Sequence, residues 1–434
     1  MPNRPIVRQF AQSPLILETS AVTASQLLSY ILSGILLQIL VLAGFAVWRR
    51  HTTLQAPTAI PVAPPADSQR DLAWAGHRGF RVLRREIEDP AGSQCSFYLA
   101  PVDGKLLAPF KPGQFLTFQL QVTGCAQTNT KPQTVTRCYS LSDMPEATHF
   151  RITVKRVPAP HGMPGLPPGV SSTHFHDQVQ PGDVLQVKAP SGHFFLDTSC
   201  LTPVVLIGGG IGITPMMSML RWCLARQPER TVHLFYGLRS GREHAFKSVL
   251  EQFAADHPQL HLHVVYSQPE PDDLPGRDYR HHGHVDVAML RQELPLGAHQ
   301  FYICGPASMM ESLVPALAAW GVHSQDIHFE AFGPASVRLT STAAPTALST
   351  PVAVRFARSQ RTLSWDGQQL NLLDFAERHG VAVESGCRSG GCGACQTRLL
   401  KGVVRYANPP DHDPAPGHCL LCVAIPGSDM ELEA

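Results

Sequence analysis

The sequence predicts a multidomain chain: an N-terminal transmembrane helix, an antiparallel β-barrel, an α/β domain on a parallel sheet, and a small C-terminal domain organised around cysteines. Three observations carry that expectation. Residues 27–48 are an apolar run without a charge, followed directly by Arg49 and Arg50. Short period-two segments then give way to an apolar strand, a glycine-rich turn and a helical stretch, Pro203 to Trp222. Near the end, three cysteines are spaced C-x4-C-x2-C in a loop of small residues, Glu384 to Cys395. At 434 residues the chain exceeds what a single core organises, which implies about three folded domains.

Composition narrows the function classes. A net charge of +1 leaves no basic footprint for a phosphate backbone, so nucleic acid is not an expected partner. Eleven cysteines, an odd number scattered along the chain, read as reduced thiols plus a cofactor site, not as a disulfide framework. That favours a cytoplasmic location for the folded part. No internal repeat is apparent.

Residues 1–26 form a tail. The run 27–48 is long enough to cross a bilayer, with Tyr30 and Trp48 near its ends. A cleaved signal peptide would be shorter and would carry a small-x-small site, and a buried helix would show a polar face. Arg4 and Arg8 nearly balance Arg49 and Arg50, so charge alone does not orient the span. The thiols favour domains facing the cytoplasm from the inner membrane. Residues 49–72, rich in Pro, Ala and Thr, read as a tether.

Residues 73–198 alternate in short runs such as Gln114 to Leu120 and Phe150 to Lys155, separated by Gly and Pro turns, which suggests a small barrel. Within it lies Arg137-Cys138-Tyr139-Ser140-Leu141. A guanidinium, an aromatic ring and a hydroxyl in this order suit a flavin: Arg137 for an anionic diphosphate, Tyr139 for stacking, Ser140 for a hydrogen bond near flavin N5. Any exposed strand can carry Arg-x-Tyr-Ser, so the motif counts through its neighbours. Those are Gly169-Val170-Ser171-Ser172, Pro181-Gly182-Asp183 and Ala189 to Phe195.

Residues 199–334 open with the strand Pro203 to Ile207, the turn Gly208-Gly209-Gly210-Ile211-Gly212-Ile213-Thr214-Pro215, and a helix expected from near Met216. Strand, glycine turn and helix N-terminus form a dinucleotide-binding arrangement. Pro215 stands where the third glycine of the usual fingerprint would be. After the strand Thr231 to Gly237, Arg239, Ser240 and Arg242 suit a 2′-phosphate, and no acid stands where a ribose hydroxyl would be gripped; NADPH and NADH both remain open. Farther on, Gln300 to Ile303 deliver Cys304-Gly305-Pro306 at a strand end, and Glu330 and Phe332 lie in Glu330-Ala331-Phe332-Gly333-Pro334. His281, His282 and His284 have no companion acid or cysteine at diagnostic spacing, which argues against a metal site. Residues 335–350 read as a second linker.

In residues 351–434, Cys387, Cys392 and Cys395 supply three thiolates, and Gly386, Gly390, Gly391 and Gly393 permit positive φ and close approach of backbone N–H groups to sulfur. The fourth ligand is Cys419 or Cys422; spacing does not choose. A structural zinc site is the competing reading: zinc ribbons pair two C-x2-C knuckles, and Cys392/Cys395 and Cys419/Cys422 both have that spacing, but the C-x4-C step that adds Cys387 falls outside the pattern.

The segment 351–434 resembles a plant-type 2Fe-2S ferredoxin, which implies an α+β ferredoxin-like (β-grasp) fold. The family's closing Leu-x-Cys-x-x-x-Pro pattern, matched by Leu420 to Pro426, implies that Cys422 is the fourth ligand. The two preceding domains resemble the ferredoxin-NADP reductase superfamily: Arg-x-Tyr-Ser-Leu, Gly-x-x-Ser, Gly-Gly-x-Gly-x-Thr-Pro, Cys-Gly-Pro and Glu-x-Phe-Gly-Pro occur in its order. The resemblance implies an FAD domain with Gly169, Ser171 and Ser172 donating to the diphosphate, and an NAD(P) domain using Gly209, Gly210, Gly212, Thr214 and Pro215. It implies Cys304, with Gly305 and Pro306, beside the nicotinamide, Phe332 covering the flavin, and Glu330 near its ring. Likeness to flavohaemoglobin reductases favours FAD over the FMN of phthalate dioxygenase reductase, which shares this domain order.

Together these imply a membrane-anchored reductase passing electrons from NAD(P)H to FAD, to a 2Fe-2S cluster, and on to an oxygenase, desaturase or hybrid-cluster protein. A quinone-reductase electron-entry protein is one alternative, although there the ferredoxin part precedes the flavin part. A membrane-bound redox sensor is another, although the chain carries no recognisable signalling module.

Overall fold

The computed structural model describes residues Ser33, Leu36, Gln38, 73–74, 76–122, 133–145, 148–159, 167–331, 351–367, 369, 371–388, 390–406, 410 and 412–434. The chain divides into two units, 1–64 and 65–434. In the first, Ser33, Leu36 and Gln38 are helical. Among the described residues no helix is long and apolar enough to cross a membrane, so the fold class is corrected to the three domains that follow. The expected span 27–48 lies otherwise outside the described residues, as do both linkers.

The barrel contains β1 (Arg78–Ile87), β2 (Gln94–Pro101), β3 (Phe115–Val122), β4 (Gln133–Ser140) and β5 (Phe150–Lys155), then helix α1 (Val170–Asp177) and β6 (Val184–Val187). Their order in the antiparallel sheet is β4-β3-β6-β1-β2-β5. A bridge between Leu141 and Ile152 joins the two edge strands and closes the cylinder, which leaves no strand edge exposed there. Inward residues Phe80, Phe97, Leu116, Phe118, Leu120 and Ile152 fill the interior. α1 plugs one end: Phe175, fully buried, packs edge-on against Phe97, Phe118 and Tyr139. Residues 170–177, which follow Gly169 of the Gly-x-x-Ser motif, form a helix whose buried side is Ser171, Ser172, Phe175 and His176.

The second domain has β7 (Val204–Gly209), α2 (Ile213–Arg226), β8 (Val232–Leu238), α3 (Lys247–Asp256), β9 (Leu260–Tyr266), β10 (His281–His282), α4 (Val287–Glu293), β11 (Gln300–Gly305), α5 (Ala307–Trp320) and β12 (Ile327–Ala331). All its strand pairs are parallel, in the order β10-β9-β8-β7-β11-β12. β7 and β8 are buried on both faces, as their continuous apolar sequences require. The chain leaves β7 toward β8 and returns to β11 on the other side, which makes the β7/β11 boundary the topological switch point. Polar contacts hold this domain to the barrel and its connector. Asp143, after β4, pairs with Arg221 of α2 at 2.8 Å, and Ser218 of α2 donates to the Asp143 carbonyl. The fully buried Arg230 donates to the carbonyls of Asp197 and Thr202 in the connector.

The third domain has β13 (Val352–Phe356), β14 (Arg361–Trp365), α6 (Leu372–Arg378), β15 (Gln396–Lys401), β16 (Val404–Tyr406), β17 (His418–Leu420), β18 (Ala424–Pro426) and β19 (Met430–Leu432). A mixed five-stranded sheet, β14-β13-β19-β15-β17, is crossed by α6, which buries Leu372, Leu373, Phe375 and Ala376. Asn371 caps that helix by accepting from the Asp374 N–H.

Candidate active site

At the switch point, Gly208 of β7, Cys304 of β11 and Glu330 of β12 lie side by side across three adjacent strands. The turn after β7 is a single 3₁₀ turn, Gly210–Gly212, and α2 begins at Ile213, three residues before the expected start. Pro215 falls in the first helical turn, where its missing N–H has no partner to lose. The glycines answer to packing between turns. A Cβ on Gly212 would stand 2.0 Å from the Cys304 carbonyl oxygen, and one on Gly209 would stand 2.9 Å from Pro306. Gly305 faces Gly209 across the same gap. Gly210 differs: its φ is +53° and its Cβ position is open except for Lys155 Nζ at 4.0 Å. Thr214 is buried and donates to the Ile211 carbonyl.

Cys304 is fully buried, and burial raises its thiol pKa well above the ordinary range, with Glu330 adding to the shift. It is a neutral packing group here, not a thiolate. Burial also raises the Glu330 carboxyl to about 8, with the neighbouring Cys387 next in effect, and its Oε2 is buried with no hydrogen-bond partner. Phe332 lies outside the described residues.

On the barrel, the Tyr139 hydroxyl bonds Ser171 Oγ at 2.7 Å, and burial raises its pKa to about 12. Ser172 accepts from the Val157 N–H and donates to the Gly169 carbonyl, which fixes the first turn of α1. Ser140, buried at the end of β4, has no hydrogen-bond partner among the described residues, and Leu141 is buried beside it. Arg137 is exposed, has no acidic partner among the described residues, and bonds only the Thr136 carbonyl. An unpaired guanidinium, an unpartnered Ser140 hydroxyl and the orphaned Glu330 oxygen meet the needs of a flavin with an anionic diphosphate.

Arg239, Ser240 and Arg242 line an open cleft of about 330 Å³ together with Glu243 and Glu270. Both acids come from nearby turns: Glu243 follows Arg242 in a 3₁₀ turn, and Glu270 arrives from the loop after β9. Arg239 approaches Glu243 at 3.8 Å and Arg242 approaches Glu270 at 3.9 Å, both loose exposed pairs. Glu243 is also held by Lys155 of β5 at 2.7 Å.

In the third domain Cys387, Cys392, Cys395 and Cys422 come together as two pairs. Backbone N–H groups of Gly391 and Cys392 donate to Cys387 Sγ at 3.3 Å, and that of Cys387 donates to Cys392 Sγ at 3.2 Å. The Cys422 N–H donates to Cys395 Sγ at 3.5 Å, with the two thiols in contact. Cys419 instead sits in the ladder opposite Thr397, fully buried in the core. Positive φ occurs at Gly390 and Gly393 but not at Gly386 or Gly391; Arg388 takes a left-handed conformation instead, held by Asp374 and Glu377 of α6. Gly386 is needed for clearance, since a Cβ there would lie 2.7 Å from Cys392 Sγ. A mononuclear zinc site requires thiolates about 3.8 Å apart around one centre. Among the described residues the only group of three donors within 4.8 Å of one another contains no cysteine. Two sulfur pairs ringed by N–H donors suit two irons.

The cluster loop is seated on the barrel. Lys188, just after β6, donates to the Cys392 carbonyl at 2.9 Å, and Gly386 lies against Thr136. Cys138, between Arg137 and Tyr139, contacts the sulfurs of Cys387 and Cys392, while Thr117 approaches its own sulfur at 3.4 Å. Cys138 and Lys188 carry no sequence signal for this role; only the fold brings residue 138 to residue 392.

Residues 97–196 match the oxidoreductase FAD-binding domain family, 206–314 the oxidoreductase NAD-binding domain family, and 354–427 the 2Fe-2S iron-sulfur cluster binding domain family. A flavohemoprotein of Halalkalibacterium halodurans is 37% identical over 296 residues, 68% of this chain and 70% of that protein. One from Chromobacterium violaceum is 40% identical over 265 residues, 61% of this chain and 62% of that one. The chain thus spans 62% to 70% of the length of the curated relatives it matches. The flavohem-like FAD/NAD-binding domain of nitric oxide dioxygenase from Vibrio cholerae O1 biovar El Tor is 32% identical with a TM-score of 0.51, covering 60% of this chain and all of that one. With its three domains matched in order, the chain belongs to the ferredoxin-NADP reductase superfamily as a flavohemoprotein-like NAD(P)H oxidoreductase with FAD-, NAD- and 2Fe-2S-binding domains.

Proposed function

We propose that the chain is an electron-transfer reductase that takes electrons from NAD(P)H and delivers them singly to a separate acceptor protein. The observation that carries this reading is the seating of the cluster loop on the strand that bears Tyr139 and Ser140, with Cys138 against Cys387 and Cys392. Bound FAD would supply the exchange between a hydride's electron pair and single electrons, and a 2Fe-2S centre would carry one electron at a time.

The chain's own residues divide the remaining work. Arg137 and the N–H groups at Val170–Ser172 would bind the flavin diphosphate, the Gly169 N–H being taken by the Val157 carbonyl, and Tyr139, Ser140 and Leu141 would orient the ring. The turn from Gly209 to Pro215 carries the nucleotide pyrophosphate at the start of α2, with Gly210 turned outward. Cys304-Gly305-Pro306 positions the nicotinamide, and Phe332 covers the flavin between turnovers. Glu330 holds a proton near neutral pH because its pKa stands near 8. Arg239, Ser240 and Arg242 contact the ribose or its 2′-phosphate, and Cys387, Cys392, Cys395 and Cys422 hold the cluster. The acceptor is an oxygenase, a desaturase or a hybrid-cluster protein in the same reducing compartment.

Steady-state reduction of cytochrome c by the purified holoprotein tests this, with NADH and NADPH compared at equal concentration. Sustained turnover with one nucleotide is expected. A single stoichiometric reduction without turnover would instead mark a sensor.

A further inference from the structure

The nucleotide domain holds a second cluster of donors, made of residues with no part in the sites above. His263 of β9, His281 of β10 and Glu293 at the end of α4 each offer one ligand atom, all within 4.8 Å of one another. The parallel pairing that sets His281 opposite Val265 puts it diagonally beside His263. The acid that sequence spacing failed to show is Glu293, brought by α4.

We propose that His263, His281 and Glu293 form a binding site for a divalent borderline metal ion, zinc by preference, independent of the flavin and iron-sulfur chemistry. His263 Nδ1 lies 3.5 Å from Glu293 Oε2, and His281 Nε2 lies 3.4 Å from Glu293 Oε1. No hydrogen bond satisfies these imidazoles. Both nitrogens of His263, which is 2% exposed, and Nε2 of His281 are buried without a partner. A tetrahedral ion with bonds of about 2.1 Å to nitrogen and oxygen sets its donors about 3.4 Å apart, and each imidazole stands at about that distance from one Glu293 oxygen, His263 from Oε2 and His281 from Oε1. Two imidazoles and a carboxylate are a zinc donor set, with a fourth position left to water.

The site is also held in place. The His263 ring stacks on Phe235 with centroids 4.2 Å apart and planes within 7°. His281 and Glu293 are each 17% exposed, which leaves an entry path. One contact competes: Arg280 donates to Glu293 Oε2 at 2.9 Å. Its side chain is 59% exposed, and a pair of that kind yields to a cation.

The test uses the full-length holoprotein, stripped of loosely held metal and titrated with Zn²⁺ alone. One zinc per chain beyond the cluster iron is expected, with nitrogen and oxygen neighbours but no sulfur in X-ray absorption. Zinc should also raise the melting temperature. His281→Asn and Glu293→Gln, both partly exposed, should each weaken binding at least about tenfold and abolish the thermal shift. Their FAD, iron and cytochrome c turnover should match the parent, so failure here is distinct from failure of the reductase assignment. No added zinc, zinc with sulfur neighbours, or binding unchanged in both variants would overturn the proposal.

Discussion

Gly212→Ala tests the packing of the switch point most sharply. The added methyl would lie 2.0 Å from the Cys304 carbonyl oxygen, 2.5 Å from its carbon and 2.8 Å from the Gly305 nitrogen. All three are backbone atoms of a buried strand end, so no rotamer change relieves the clash. The β7 and β11 turns must separate by about 1.5 Å to regain ordinary contact. Overpacking of this kind costs on the order of 3 kcal/mol, and a misplacement of about 1 Å between reacting groups slows a step about 100-fold. Anaerobic stopped-flow reduction of the flavin absorbance by NAD(P)H reads the rate, and a urea midpoint reads the stability. Gly92→Ala, in the turn between β1 and β2, is the control: nothing lies within 4 Å of its Cβ position, and only the backbone cost of φ +64° applies, about 1 kcal/mol. Its flavin reduction should stay within a few-fold of the parent. If Gly212→Ala reduced its flavin at the parent rate and unfolded at the parent midpoint, the account of these glycines would be wrong.

Cys422→Ser should abolish cluster absorbance and iron content while FAD stays bound, and Cys419→Ser should do neither; the reverse pattern would transfer the ligand role to Cys419. Cys138→Ala should retain FAD and iron but shift the cluster potential by on the order of tens of millivolts, read by an EPR-monitored redox titration, because it removes the barrel's contact with two cluster sulfurs. An unchanged potential would leave Cys138 as a space filler. Buried His233 and His244 are held neutral, burial lowering their pKa to about 4 and about 3. The unfolded chain protonates them below about 6.5 while the native state does not. Stability is therefore full above that pH and falls as pH drops, by up to about 2 kcal/mol per histidine at pH 5. A urea midpoint that does not move between pH 6.5 and 5 would contradict this.

What was legible in the sequence was the chemistry carried by contiguous motifs. Cysteine spacing, the Gly-rich turn and the Arg-Cys-Tyr-Ser strand each encode a local backbone requirement, so a one-dimensional reading finds them. What escaped depends on long-range assembly. Glu270 enters the Arg239 cleft from the loop after β9, and His281 meets His263 only because β10 pairs with β9. Cys138 meets Cys392 only when the third domain lies on β4. The sequence assigns no element to residues 170–177, where Ser171, Ser172 and Thr173 weaken the helical signal, yet Phe175 finds a barrel end to plug and tertiary packing decides. The transmembrane expectation rested on hydropathy alone, and no described helix supplies the length it needs.

The central claim is that reducing equivalents enter at the switch point and leave through the cysteine loop. Rapid-freeze EPR after anaerobic mixing of the holoprotein with NAD(P)H tests it most directly. The signal of a one-electron-reduced 2Fe-2S centre should grow in after the flavin absorbance bleaches, and the Cys422→Ser protein should bleach without it. A flavin that bleaches in the parent while the cluster stays oxidised until dithionite is added would contradict the account.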